Sequence, residues 1–324
     1  MLTLLFLAAC FVAFTNGANA NFKGVASIYG SGTASLRTTV CWGTATTFAG
    51  AITALFAARG LLGAFSGKGL VPEPLTQSPH FLLAVALGAA LTSFLATRVS
   101  FPVSTTHALV GALVGAGLAS GDHTVHLAPL VKTFVQPLLL SPVIAIAAGA
   151  LVHFTLQSVR LLPDHRTRTL DALHFLSGGA ASFARGLNDT PKMAALLVVA
   201  HALDIRWGFA AVAMTMAVGG LLDARNVAET LGKKVTDMNP GEGFAANVAT
   251  ALLVNTASFH SLPVSTTHVS VGSLVGIGMV TGKAKWSGIG QIVLSWLITL
   301  PCGAGLAAVI ALVLRFLHTV TTQS

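Results

Sequence analysis

A chain of 324 residues with 54% hydrophobic and only 9% charged residues, and a mean hydropathy of +0.79, is not an ordinary soluble domain, where about a quarter of residues are charged. The formal net charge of +8 comes from scattered basic residues with no stripe interleaved with aromatics, which excludes nucleic acid as a partner. What remains is an all-α polytopic membrane protein in the lipid bilayer: apolar runs of spanning length recur, and the period-two alternation of an outer-membrane barrel is absent. Cys10, Cys41 and Cys302 lie far apart in apolar sequence with neither disulfide nor metal spacing, and no cofactor is implied.

Residues 2–15 read as an uncharged apolar helix that breaks at Asn16-Gly-Ala-Asn-Ala-Asn21. Leu7-Ala-Ala-Cys10 and Ala18-Asn-Ala20 imitate the cleavage sites of exported proteins. No positive residue precedes them, however, and only about six residues lie before the first, short of the ~7–15 of an apolar signal core, so a first membrane helix is expected. A short segment from Phe22 to about Tyr29 follows. Helices are then expected over roughly 38–57, 80–97, 104–119, 127–141 and 142–158, the last two separated at Leu-Leu-Ser-Pro142. Arg160 to Arg168 carries three arginines and reads as a cytoplasmic linker. Beyond it a helix over 170–186 is expected to break at Gly186-Leu-Asn-Asp-Thr-Pro191, with a short segment from Pro191 to about Leu203. Helices over 207–222 and 243–258, joined by a charged loop, precede helices over 264–280, 286–299 and 302–317.

The block Pro102-Val-Ser-Thr-Thr-His107 is written again as Pro263-Val-Ser-Thr-Thr-His268, and laying 102–117 over 263–278 gives 12 identities in 16 positions. The two break motifs, Gly17 to Lys23 and Gly186 to Lys192, share Gly-x-Asn-x-x-x-Lys. The chain therefore reads as a tandem duplication, with a first transmembrane repeat over 1–158, a linker over 159–168 and a second repeat over 169–324. A polar block repeated inside apolar segments marks a transporter site shared between two halves.

Each break is expected to open a helix inside the membrane, with Asn21 in one half and Asp189 or Thr190 in the other as N-cap, and Pro191 in a first turn. Pro102 and Pro263 end the preceding chain, Ser104 and Ser265 can cap, and Thr105, Thr106, Thr266 and Thr267 stand in the first turns. Free N–H groups and the positive dipole end at such openings suit an anion. Four openings converging on one tetrahedral oxyanion is the expectation. Lys23 and Lys192 sharpen it, because a lysine at the bilayer centre costs about 2.5–3.5 kcal/mol on the insertion scale. Asp189 alone is at hand as a partner, its counterpart in the first repeat being Ala20. The blander alternatives are hydroxyls that satisfy neighbouring carbonyls and lysines that snorkel to the interface. His107 and His268 can carry a proton, as a relay, or hydrogen-bond within the hairpin. An intramembrane hydrolase using Ser and His is the different-class alternative, but a nucleophile–His pair needs an orienting group, and only Asp189 lies near a motif.

These motifs resemble the inorganic phosphate transporter (PiT) family, whose hallmark is Gly-Ala-Asn-Asp-x-Ala-Asn in each of two repeats, accompanied by Pro-Val-Ser-Thr-Thr-His hairpins. The resemblance covers essentially the whole chain. It implies homologous, inverted repeats of transmembrane helices with re-entrant hairpins, cation-coupled uptake, and multi-pass placement in the cell inner (plasma) membrane. It also implies a phosphate site built from Asn19, Asn188, Ser104, Thr105, Thr106, Ser265, Thr266 and Thr267, with Asp189 as ligand of a coupling ion such as sodium. The chain departs from the family pattern at three positions. Ala20 replaces an aspartate, and Lys23 and Lys192 replace the final asparagine of each motif, placing two ammonium groups where a cation or the oxyanion would lie. That favours a co-transported proton over sodium. It also keeps sulfate or thiosulfate, the cargo of a sulfate permease branch, beside inorganic phosphate as the substrate. The orientation of the termini and the oligomeric state, a homodimer included, are left open.

Overall fold

The computed structural model describes residues 1–121, 125–162, 166–199 and 204–323. Among them the backbone is helical throughout, with no strand beyond two isolated bridges. The first half holds α1 (Leu2–Ala20), α2 (Ala26–Gly30), α3 (Leu36–Ala57), α4 (Gly60–Phe65), α5 (Glu73–Thr76), α6 (Pro79–Arg98), α7 (Thr105–Ala119), α8 (Leu127–Pro129) and α9 (Gln136–Ser158), with a π-helical turn over Leu130–Val135 leading into α9. The second half holds α10 (Arg168–Val199), α11 (Ile205–Asp223), α12 (Arg225–Lys233), α13 (Pro240–Phe259), α14 (Thr266–Thr281) and α15 (Trp286–Gln323). Six stretches among the described residues are long and apolar enough to cross a bilayer, from Leu2–Ala20 to Trp286–Thr321. Leu139, Val143, Leu151, Leu222, Leu297 and Phe316 turn outward from these helices, as side chains facing lipid do. The chain is a multi-pass membrane protein.

The halves are interleaved by close helix crossings. In α1, a side chain at Gly17 would meet the carbonyl oxygen of Met216 in α11; in α10, one at Gly186 would meet the carbonyl oxygen of Thr47 in α3. The offset of 169 that carries Gly17 to Gly186 also carries Thr47 to Met216, so the two crossings are copies of one another. Each joins a helix of one half to a helix of the other. Only glycine permits such backbone contact, and without a hydrophobic drive between helices in lipid, close packing is what holds them.

The repeated hairpins lie between α6 and α7 and between α13 and α14. At matching positions Ser100 and Ser261 take left-handed backbone angles, φ 60° and 57°, that turn the chain back. Extended segments then lead to Ser104 and Ser265, whose hydroxyls accept from the amides of His107 and His268 at 3.2 Å each. These are the N-caps that the duplicated block predicts.

Several sequence expectations are corrected. The second break is absent, because α10 runs unbroken from Arg168 through Pro191 to Val199. Residues 200–203 of the expected short segment lie outside the described residues, as do 163–165 of the linker. In a bilayer each free backbone group costs several kcal/mol, so losing the one hydrogen bond that proline forbids is cheaper than opening a helix end. Thr190 and Asp189 accordingly do not cap: the Thr190 hydroxyl donates to the Gly186 carbonyl at 2.8 Å, and Asp189 pairs with Lys192. For the same reason the helices do not separate at Pro142 or Pro301, which lie inside α9 and α15. In the first repeat the break falls after Ala20. Asn21 ends α1 in helical conformation and its amide donates to Thr44 at 2.7 Å, so it is not an N-cap. The charged loop after α11 folds in part into α12, whose Val227, Ala228 and Leu231 are buried.

Candidate anion site

Two helix openings, those of α7 and α14, meet where α1 ends and α10 passes. Lys23 lies in the turn after α1 and Lys192 lies within α10; they are 3% and 1% exposed. The ammonium group of Lys23 donates to the carbonyl of Val103 at 2.6 Å and to the hydroxyl of Thr267 at 2.6 Å. That of Lys192 donates to the carbonyl of Val264 at 2.8 Å and to the hydroxyl of Thr106 at 2.9 Å. Thr267 and Thr106 in turn donate to the same two carbonyls, at 3.0 and 3.2 Å. The two arrangements are copies related by the sequence repeat. Each lysine touches the hairpin of one half and the threonine of the other, so the pair ties both openings together. Neither lysine snorkels.

Asp189 takes Lys192 at 3.0 Å and Arg185 at 3.7 Å, and also accepts from Asn16 at 3.2 Å and Thr266 at 3.3 Å. Asn16 is held on its other side by Arg185, which donates to its side-chain oxygen at 2.5 Å, and its amide reaches Thr105 at 2.9 Å. The Arg185 guanidinium completes its contacts on Thr47 at 3.1 Å. Arg185 and Asp189 are 2% and 3% exposed. Three basic side chains and one carboxylate thus share one buried cluster, a formal excess of two positive charges. Burial of unpaired charge is costly, and a polyoxygen dianion is the ligand that would balance it.

The sequence-derived candidates divide into two groups. Lys23, Lys192, Thr105, Thr106, Thr266, Thr267 and Asp189 are brought together. Ser104 and Ser265 stand at the same openings but are engaged as caps. Asn19 and Asn188 bond to the hairpins and the helix ends that lead into them. The Asn19 amide donates to Thr97 at 3.0 Å and to the Phe101 carbonyl at 2.8 Å, while its oxygen accepts from the Val103 amide at 2.9 Å. Asn188 has one such bond, to Ser258 at 2.9 Å, and its side-chain oxygen is buried without a partner. The rings of His107 and His268 meet each other at 4.7 Å, and His268 also packs on Trp296 and bonds to the Leu138 carbonyl at 3.0 Å. They border an apolar recess of about 520 Å³ between α9 and α15. Asn16, Arg185 and Thr47 are site members that motif reading did not assign. The offset of 169 maps Asn16 onto Arg185, one residue ahead of the paired glycines, and that register was the available signal.

A sequence profile of the phosphate transporter family matches residues 16–169 and again 162–307. The chain belongs to the phosphate transporter family. Two copies of one family unit in a single chain agree with the duplicated crossings and lysine bridges. A probable low-affinity inorganic phosphate transporter of Rhizobium meliloti is 30% identical over 256 residues, covering 75% of this chain and 76% of the relative. One of Mycobacterium leprae is 25% identical over 324 residues, covering 95% of this chain and 77% of the relative. Among solved structures, one described as the sodium-dependent phosphate transporter superposes with a TM-score of 0.83 at 21% identity, covering 97% of this chain and 99% of that one. This likeness establishes the fold. As a member of the family the chain is a transporter and not an enzyme.

Proposed function

We propose that this chain carries inorganic phosphate across the cytoplasmic membrane, taking it as a dianion into the cluster around Lys23, Lys192 and Arg185. The observation that carries the reading is the buried excess of two positive charges at paired helix openings. Hydrogen phosphate brings two negative charges and four oxygens, enough to replace the carbonyl and threonine contacts of both ammonium groups. Lys23, Lys192, Thr105, Thr106, Thr266 and Thr267 are the direct contacts. Asn19, Asn188, Ser104 and Ser265 hold the openings in place. Because each lysine bridges the two halves, binding of the anion loosens the hairpins from one another, which is what alternating access requires.

The coupling ion in this reading is a proton. A sodium ion at Asp189 would have to displace Lys192 at 3.0 Å and face Arg185 at 3.7 Å. The tethered ammonium groups supply the positive charge that bound sodium would otherwise bring. The repeats 1–158 and 169–324 are inverted with respect to one another, and the linker 159–168 lies on the cytoplasmic side.

A sulfate permease is the second reading, favoured by Ala20, which removes a carboxylate able to accept a proton from the anion. Competition in proteoliposomes separates the two. Uptake of radiolabelled phosphate should be displaced by arsenate, unaffected by equal sulfate or thiosulfate, and unchanged when choline replaces sodium. Displacement by sulfate alone would move the substrate to sulfate, and strict sodium dependence across pH would remove the proton.

A further inference from the structure

We propose that the membrane face opposite the linker carries a binding site for a phosphoryl group, held by Arg315 together with His80 and Ser78. The headgroup of a membrane phospholipid is the source that the surroundings favour. The site lies where the start of α6, the end of α7 and the later turns of α15 come together. α9 starts on this same face, after the loop that follows α7, and ends at the linker on the other. The pocket is separate from the charge cluster. α7 begins at that cluster with Thr105 and ends beside the pocket at Ser120, about 22 Å further along its axis.

The cavity holds about 360 Å³, within the ~300–1,000 Å³ of small-molecule sites. Arg315, His80, His318, Ser78, Ser120 and Thr319 line it, with Leu75, Phe81 and Leu314 beside them. Ser120 and Thr319 have their hydroxyl protons turned to the helix carbonyls of Ala116 and Arg315, at 2.7 and 3.0 Å. Ser78 accepts from the Phe81 amide at 3.5 Å as the cap of α6, which leaves its own proton to donate. The His80 ring meets that of His318 edge to face at 5.4 Å. Arg315 brings a planar fork of N–H donors, the geometry that pairs with phosphate oxygens in a bidentate way.

Arg315 is the only charged residue among the 38 of α15. Its guanidinium lies against the loop after α7: a side-chain carbon on Gly121, at φ 99°, would stand 2.7 Å from its Nη1. Glycine at 121 thus permits both the positive-φ turn and the close approach. An arginine near a helix end can snorkel to water, which keeps it out of hydrocarbon but asks for no partner. Here two imidazoles share its pocket. Among the described residues no carboxylate lies within ion-pair distance of Arg315 or His80. Basic groups gathered in one recess repel each other until an anion enters, and basic pockets between transmembrane helices take lipid headgroups.

The other repeat shows that the fold does not demand this set. α6 and α13 run in register from Pro79 and Pro240 at the offset of 161, which lays Gly241 over His80 and Glu242 over Phe81. The matching crossings of Gly115 on Ala304 and Gly276 on Ile146 lay Gln157 over Arg315 and Arg160 over His318. At that end Glu242 takes Lys283 at 2.7 Å, so the position of Phe81 there holds a carboxylate already paired. The source of the phosphoryl group follows from the outer side of α15. Leu312, Val313 and Phe316 are exposed on the same turns and offer an acyl chain an apolar track beside the pocket. A free phosphate ion would use the same donors but none of that surface.

The purified full chain in mild detergent tests the site through its thermal midpoint, read by tryptophan fluorescence. The probes are dioctanoyl phosphatidylglycerol, dioctanoylglycerol, which lacks the phosphoryl group, and inorganic phosphate. The phosphatidylglycerol should raise the wild-type midpoint by roughly 5 °C at about a hundredfold excess over half-saturation, and dioctanoylglycerol should not. Arg315→Gln should weaken binding by roughly tenfold or more, leaving about half of that rise or less. Arg315→Lys keeps the charge without the fork and should fall between. His80→Gln should also lower the affinity, and it serves where Arg315→Gln does not fold. Inorganic phosphate also enters the central cluster in the reading above, so its effect is judged by difference. An equal phosphate-induced rise in wild type and Arg315→Gln, beside a phosphatidylglycerol effect that Arg315→Gln reduces, assigns the pocket to lipid. A phosphate-induced rise that Arg315→Gln diminishes assigns it to free phosphate as well. A phosphatidylglycerol effect matched by dioctanoylglycerol, or unchanged in both Arg315→Gln and His80→Gln, overturns the site. So does a wild type that phosphatidylglycerol leaves unmoved and whose response to inorganic phosphate survives Arg315→Gln intact.

Discussion

Asn19 and Asn188 occupy the same position in the two repeats but do unequal amounts of structural work, and alanine substitution measures the difference. Asn19→Ala strands the Val103 amide and the Phe101 carbonyl, both otherwise bonded to it at 2.9 and 2.8 Å. Thr97 keeps its bond to the Ser93 carbonyl at 2.8 Å and is not stranded. A buried amide and a part-buried carbonyl left unpaired cost about 1–3 kcal/mol each, roughly 4 kcal/mol together. Asn188→Ala removes one bond to Ser258, which still donates to the Val254 carbonyl at 2.7 Å, and eliminates an oxygen that has no partner. Its loss is therefore about 1 kcal/mol or less. The gap of roughly 3 kcal/mol corresponds to about 6 °C in unfolding midpoint at ~2 °C per kcal/mol for a chain of this size. Intrinsic tryptophan fluorescence of the detergent-purified protein during heating reads it directly. Equal shifts, or a larger one for Asn188→Ala, would falsify the assignment of Asn19 as the hairpin clamp.

Other consequences can be measured with the same preparations. Lys23→Met and Lys192→Met should each lower phosphate uptake by roughly tenfold or more, since each removes one of the surplus charges that hold the dianion; uptake within twofold of wild type in either would argue against the charge cluster as the site. Asp189→Asn leaves Lys192 and Arg185 without their carboxylate and should cost about 3–5 kcal/mol of stability. Added phosphate should restore part of that loss through binding, and a thermal midpoint insensitive to phosphate would count against anion binding there. Gly17→Ala pushes a methyl group into the Met216 carbonyl and should reduce the yield of folded protein, whereas Gly63→Ala, which meets nothing within 4 Å, should be silent.

The duplicated motifs made the repeats, the two hairpins, their serine caps and a lysine in each break motif readable from residue order, because identity at a fixed offset and capping chemistry are local properties, whereas the burial of those lysines came from the structure. The same local logic failed at Gly186 to Pro191. There a proline and two good caps suggest an end, but the surrounding helices and the absence of water make a continuous α10 cheaper than an open one. The family resemblance names Asn19 and Asn188 as substrate-site residues, and only the packing of the hairpins shows that their amides meet Thr97, Phe101 and Ser258.

Which lysine reaches which hairpin was settled only by the crossings between halves, where Gly17 lies on Met216 and Gly186 on Thr47. Those contacts carry Lys23 to Thr267 and Lys192 to Thr106, and they bring Asn16 beside Arg185 across 169 residues of chain. The sequence by itself determined that an apolar chain holds two copies of a Ser-Thr-Thr helix opening and two copies of a lysine-bearing motif. Their meeting in one cluster with two surplus charges follows from backbone-to-backbone packing of distant helices, a relation between surfaces that no local run of residues contains.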